Sequence, residues 1–186
     1  MRPRSSRLKP AIAALTLTAM AAFAASAIAA DPPPVASDPG DTAATFGDWV
    51  LHCERLPEGS TPARACEVVQ SIQVQGEQGP IARIAIGRIS SNQPLAVTVI
   101  LPNNISLPSV VHVGADAKDK GPDLNWVRCT PGGCFAQAPL AAETLKAWRA
   151  TQASKITFRD AAGRDIGFPI SFRGLPQALD ALAKAF

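Results

Sequence analysis

Trp126-Val127-Arg128-Cys129-Thr130-Pro131-Gly132-Gly133-Cys134-Phe135-Ala136-Gln137-Ala138-Pro139-Leu140 reads as strand, tight loop, strand. Pro131 presets φ, and Gly132 and Gly133 accept φ > 0, so the chain reverses there. The reversal brings Cys129 and Cys134 onto neighbouring ribbons, where a disulfide would staple the hairpin. Working outward, the same grammar recurs: short apolar ribbons separated by Gly- and Pro-bearing turns. Thirteen Gly and 17 Pro in 186 residues suit many short strands, and the absence of Tyr makes the core mostly aliphatic.

C-terminal to the hairpin, Ala141 to Ala150 has helical spacing, with Leu145 and Trp148 three apart. Ile156 and Phe158 then lead through Asp160-Ala161-Ala162-Gly163-Arg164-Asp165 into Ile166, Phe168 and Ile170, a second hairpin. Pro169 cannot donate to a ladder and marks an edge or a bulge. Leu175 to Phe186 closes the chain as an amphipathic helix with Pro176 in its first turn.

N-terminal to the hairpin, strands are predicted over Phe46–Cys53, Cys66–Val74, Ile81–Ile89, Leu95–Leu101 and Leu107–Val113. Leu95–Leu101 is apolar on both faces, which predicts a central strand. Gly114 to Asp123, with Lys118-Asp119-Lys120, reads as a polar loop. About nine short strands and only two short helices, both in the C-terminal third, predict an all-β fold, an antiparallel β-sandwich. Residues 45–186 form that domain and 31–44 a Pro- and Ala-rich linker.

Residues 1–30 read as a secretory signal peptide. Arg2, Arg4, Arg7 and Lys9 precede the uncharged run Ala11 to Ala24, and Ala27-Ile28-Ala29 places the cut after Ala29 or Ala30. The run is Ala-rich and ends in small residues, so no integral membrane segment is expected after cleavage. The leader carries four of the 18 basic residues and none of the 15 acidic ones, leaving 14 basic against 15 acidic, net −1. The overall excess of basic charge is therefore no nucleic-acid footprint, and no basic stripe is interleaved with stacking aromatics.

All four cysteines, Cys53, Cys66, Cys129 and Cys134, lie in the mature part. An even count in an exported chain implies disulfides, with three pairings open. Sequence neighbours are favoured, Cys53 with Cys66 and Cys129 with Cys134. Chain entropy assigns roughly 3 kcal/mol to the longer loop and roughly 2 to the shorter. There is no C-x-x-C pair, and His52 and His112 have no ligand spacing, so no metal site is expected. No nucleophile elbow, zincin or P-loop pattern occurs, so neither a catalytic set nor a cofactor is indicated. His52 beside Cys53 would make a nucleophile only with a free thiolate, which a disulfide removes. Arg83, Arg88 and Arg128 are the notable strand charges, candidates for a ligand site or for cross-sheet ion pairs.

Taken together, Phe46-Gly47-Asp48-Trp49, the Cys53 and Cys66 pair, Cys129-x-x-Gly132-Gly133-Cys134-Phe135, Pro169-x-Ser171-x-x-Gly174 and Ala178-Leu179-Asp180-Ala181-Leu182 resemble the invasion-associated locus B family. The resemblance covers about residues 45 to 185. It implies an immunoglobulin-like sandwich in the periplasm or on the outer surface of alphaproteobacteria, with founding members linked to host-cell entry. It offers no catalytic residues. The chain departs from the pattern at Asn103-Asn104 and in the Lys118-Asp119-Lys120 loop, both in loops, which leaves the implied fold intact but not a shared partner surface.

Two functions follow as expectations. One is an exported, non-enzymatic interaction protein binding a protein partner at the envelope or host surface through loops and an exposed strand edge. The alternative is a periplasmic small-ligand or envelope-stress protein capturing an anion with Arg83, Arg88 or Arg128.

Overall fold

The computed structural model describes residues 40–76, 79–88, 92–114 and 121–185. The signal peptide, residues 31–39 of the expected linker and the Lys118-Asp119-Lys120 loop lie outside the described residues. Among the described residues, ten strands and two helices follow one another: β1 (Asp41–Phe46), β2 (Trp49–Arg55), β3 (Arg64–Ile72), β4 (Ala82–Arg88), β5 (Ala96–Leu101), β6 (Val111–Gly114), β7 (Asp123–Thr130), β8 (Gly133–Pro139), α1 (Ala142–Ala150), β9 (Ala153–Arg159), β10 (Asp165–Ser171) and α2 (Leu175–Lys184). All strand pairings are antiparallel, in the order β1-β2-β3-β4-β5-β8-β7-β6-β9-β10.

One strand joins the two parts of this ladder. Asp123 and Leu124 of β7 pair with β6, while Asn125 to Thr130 pair with β8 across a bulge between Trp126 and Arg128. Bulges let a strand turn a corner and change layers. One layer is thus β1 to β5 with β8 and β7, and the other is β6, β9 and β10.

Period-two burial fixes the faces. Trp49 and Cys53 of β2, Cys66, Val68, Gln70 and Ile72 of β3, Val97, Val99 and Leu101 of β5, and Cys134, Ala136 and Ala138 of β8 are all buried. They meet Val111, Val113, Ile156, Phe158 and Ile170 from the other layer, and Trp148 and Leu175, Ala178, Leu179 and Leu182 from the helices. The central position expected for the Leu95–Leu101 strand holds, since β5 lies between β4 and β8. Pro169 sits on β10, an edge of the ladder, where its missing N–H costs nothing.

Three expectations are corrected. Asp41 to Ala44, read as the end of a linker, belong to β1, and Phe46-Gly47-Asp48-Trp49 is the tight turn into β2 rather than the start of one strand. Gly47 has φ +58, and a Cβ there would stand 2.6 Å from the Arg173 carbonyl oxygen, so glycine is what the turn requires. The strand expected over Leu107–Val113 is shorter: β6 begins at Val111, and Leu107 is exposed.

The two ends of the domain are clasped together. The Trp49 indole N–H donates to the Ser171 carbonyl at 2.8 Å. The buried Gln70 amide donates to the same carbonyl at 2.9 Å and to that of Asp48 at 3.3 Å, and its oxygen accepts the Ser171 N–H at 3.0 Å. The Asp48 N–H donates to the Arg173 carbonyl at 3.1 Å. Outside this buried set, the Arg173 guanidinium holds the Asp48 carboxylate through two hydrogen bonds, 3.2 and 2.6 Å. The stretches carrying the family resemblance at either end of the domain therefore build its closure.

Candidate functional site

The alternate residues of β2 to β5, β8 and β7 form an outer face directed away from the core. Its floor is made of small side chains: Ala65, Ala85, Gly87, Ala96 and Thr98. The register puts Gly87 between Glu67 and Ala96, and Ala85 between Val69 and Thr98. A Cβ at Gly87 would stand 3.0 Å from the Glu67 Cβ, so the strands close up there only because the side chain is missing. The result is a groove of ≈ 670 Å³, walled by His52, Glu54, Glu67, Gln137 and Val127. Val127 is 56% exposed, turned outward at the β7 bulge. A rigid, apolar-floored depression of this size is the ordinary shape of a binding surface.

A second depression, ≈ 550 Å³, lies on the same face between the β3–β4 turn and the Pro131-Gly132 turn, lined by Arg83, Ile100, Asn103 and Phe135 among others. The three strand arginines divide between the two. Arg88, paired with Cys66 on the core-facing row of β4, contributes to the lining of the first groove. Arg83 is exposed in the second, and Arg128 stacks its guanidinium on the Phe135 ring, 4.4 Å from the centroid. Arg83 and Arg128 thus share a surface row, and Arg88 stands apart. Sequence reading missed Phe135, Ile100 and the small-residue floor. The alternation in β4 and β5 assigns their faces, but only the register shows that they adjoin.

Each cysteine pair lies directly opposite across two adjacent strands. Cys53 is bonded to Cys66, Cα atoms 4.1 Å apart, and Cys129 to Cys134, Cα atoms 4.0 Å apart. Both bridges run within one layer rather than between layers. His52, next to Cys53 in sequence, projects from the opposite face, and Cys53 has no thiolate to offer. Among the described residues no group of three or more His, Cys, Asp or Glu is placed to hold a metal ion, and no helix is long and apolar enough to cross a membrane.

Electrostatics away from the grooves are structural. The Arg173 guanidinium, helped by the Ser171 hydroxyl, holds the Asp48 carboxyl below its usual range, and Asp48 in turn raises Arg173. Asp160 is lowered by the Arg164 backbone N–H first, then by the Arg164 side chain and the Ala162 N–H, as it caps the β9–β10 turn. His112 of β6 pairs through Nδ1 with Asp123 of β7 at 2.8 Å, and neither residue lines either groove.

A family model described as the invasion associated locus B protein matches residues 49–183. The invasion protein B homolog of Brucella abortus strain 2308 is 26% identical over 171 residues, covering 90% of this chain and 91% of its own. The homolog in strain 9-941 of biovar 1 matches to the same extent. The crystal structure of invasion associated protein B from Bartonella henselae superposes with a TM-score of 0.65, covering 77% of this chain and 97% of that one, at 15% identity, a likeness of fold. Matched from the buried Trp49 almost to the end of α2, the chain belongs to the invasion associated locus B family.

Proposed function

We propose that this chain is an exported, non-enzymatic interaction protein of the bacterial envelope that contributes to association with a host cell. The observation that carries the reading is the outer face of the seven-strand layer. A groove with an apolar floor and an adjoining arginine row are held in place by a rigid, disulfide-bonded sheet. Family membership and relatives named for invasion support the biological setting. Paired cysteines suit an oxidising compartment, and the basic, Ala-rich leader cut near Ala29 or Ala30 supplies the route. Cell fractionation should find a chain beginning near Asp31 in the periplasm, on the surface or in the medium. A full-length product confined to the cytoplasm would remove export from the account.

The interaction itself is tested with a photocrosslinker at the exposed Val127 position, applied to envelope and host-surface extracts. A defined adduct is expected, and Thr98→Trp, which fills the groove floor, should abolish it without altering circular dichroism. Absence of any adduct above a no-crosslinker control refutes the reading. One observation favours small-ligand binding as a second reading: the groove volume falls within the range of ligand pockets, with Arg88 in its lining. That reading predicts a raised melting temperature with at least one anionic metabolite. Glu54 and Glu67 on the same walls weigh against an anion there.

A further inference from the structure

A row of four side chains crosses four strands of the outer face. Arg83 of β4 stands opposite Ile100 of β5, Ile100 opposite Phe135 of β8, and Phe135 opposite Arg128 of β7. The two arginines are exposed, and the two apolar residues between them are half-buried. Elsewhere on the surface, Arg149, Arg159, Arg164 and Arg173 each rest on an aspartate. Among the described residues, Arg83 and Arg128 rest on none. Stacking on Phe135 fixes the Arg128 guanidinium plane yet leaves its N–H edge open to a carboxylate. Among the described residues, the depression beside the row has no acidic side chain in its lining.

We infer that this row is a docking track for an extended acidic peptide with the pattern acid–x–apolar–x–acid. Three strand intervals separate Arg83 from Arg128, about 14 Å. In an extended peptide, residues i, i+2 and i+4 face one way, and i to i+4 spans about 13 Å. Two carboxylates at that spacing reach the two guanidiniums, where bidentate hydrogen bonds are available. The apolar side chain between them lands on Ile100 and Phe135. The inference rests on the interaction reading above and names the chemistry of the partner.

The test is fluorescence anisotropy of a labelled Gly-Glu-Ser-Leu-Ser-Glu-Gly peptide titrated with the mature chain at low salt. Saturable binding is expected. It should weaken about fivefold in Arg83→Gln and again in Arg128→Gln, and fall away when both peptide acids become Gln. Melting temperatures should not change. No saturable binding, equal binding by the variants, or equal binding of the Gln peptide overturns the inference. So does capture of phosphatidylglycerol vesicles by the same two arginines without capture of the peptide. The Val127 crosslink separates the two levels. An adduct undiminished in the double variant leaves the interaction reading standing and removes the acidic track. Peptide binding with no adduct in any extract does the reverse.

Discussion

Gly174 has φ +87, and a Cβ there would run into the Phe46 carbonyl and the Gly47 amide. Gly163 has a similar φ, +80, with open space around it. The pair separates conformational strain from collision. Gly163→Ala is expected to cost about 1 kcal/mol, the left-handed penalty alone. Gly174→Ala should cost about 3 kcal/mol or more, because backbone has to move at the clasp. Urea denaturation of the two variants checks the difference, and equal losses would contradict it. Asp48 and Asp160 set an acid limit. Each carboxyl titrates lower in the folded than in the unfolded chain, so the unfolded state takes up protons first on acidification. Their stabilisation is full above the unfolded value of 3.8 and is lost as the pH falls through the folded values. Melting temperatures of wild type and of Asp48→Asn should therefore differ at neutral pH and converge in acid. A gap that widens in acid would reverse the assignment.

Among the elements, the hairpins were the most legible. Ile156 and Phe158 against Ile166, Phe168 and Ile170 announce β9 and β10 by alternation, and Pro176 announces the start of α2. β1 was not legible, because Asp-Thr-Ala-Ala-Thr-Phe has no apolar alternation and follows a Pro-rich run. Its five exposed residues become a strand only by pairing with β2 across a turn. The site was harder still. Arg83 and Arg128 were visible as strand charges, but their common row depends on β5 lying beside β8, a neighbour it does not have in sequence. The two disulfides make an element-level prediction. The Cys53–Cys66 loop spans 13 positions and its cysteines are buried, while the other spans five and Cys129 is exposed. Removing the first pair as alanines should cost about 3 kcal/mol and the second about 2. In Cys129→Ser alone, Cys134, buried in the folded chain, should be the thiol that a maleimide labels once urea has exposed it. Labelling of Cys66 instead would contradict the bonding.

For the molecule as a whole, closure depends on Gln70. Its one amide serves the backbone of Ser171 and of Asp48 from inside the core. Truncating it to Ala leaves buried backbone groups unsatisfied, with an expected loss of about 2 to 3 kcal/mol in a single cooperative transition. A two-step transition would mean that the layers fold independently. The clasp also sets a timetable. It joins Asp48 to Arg173, 125 positions later in the chain. No nascent fragment holds both halves of that lock until Arg173 has been added, so Trp49 and Gln70, made long before, wait for their backbone partner at Ser171.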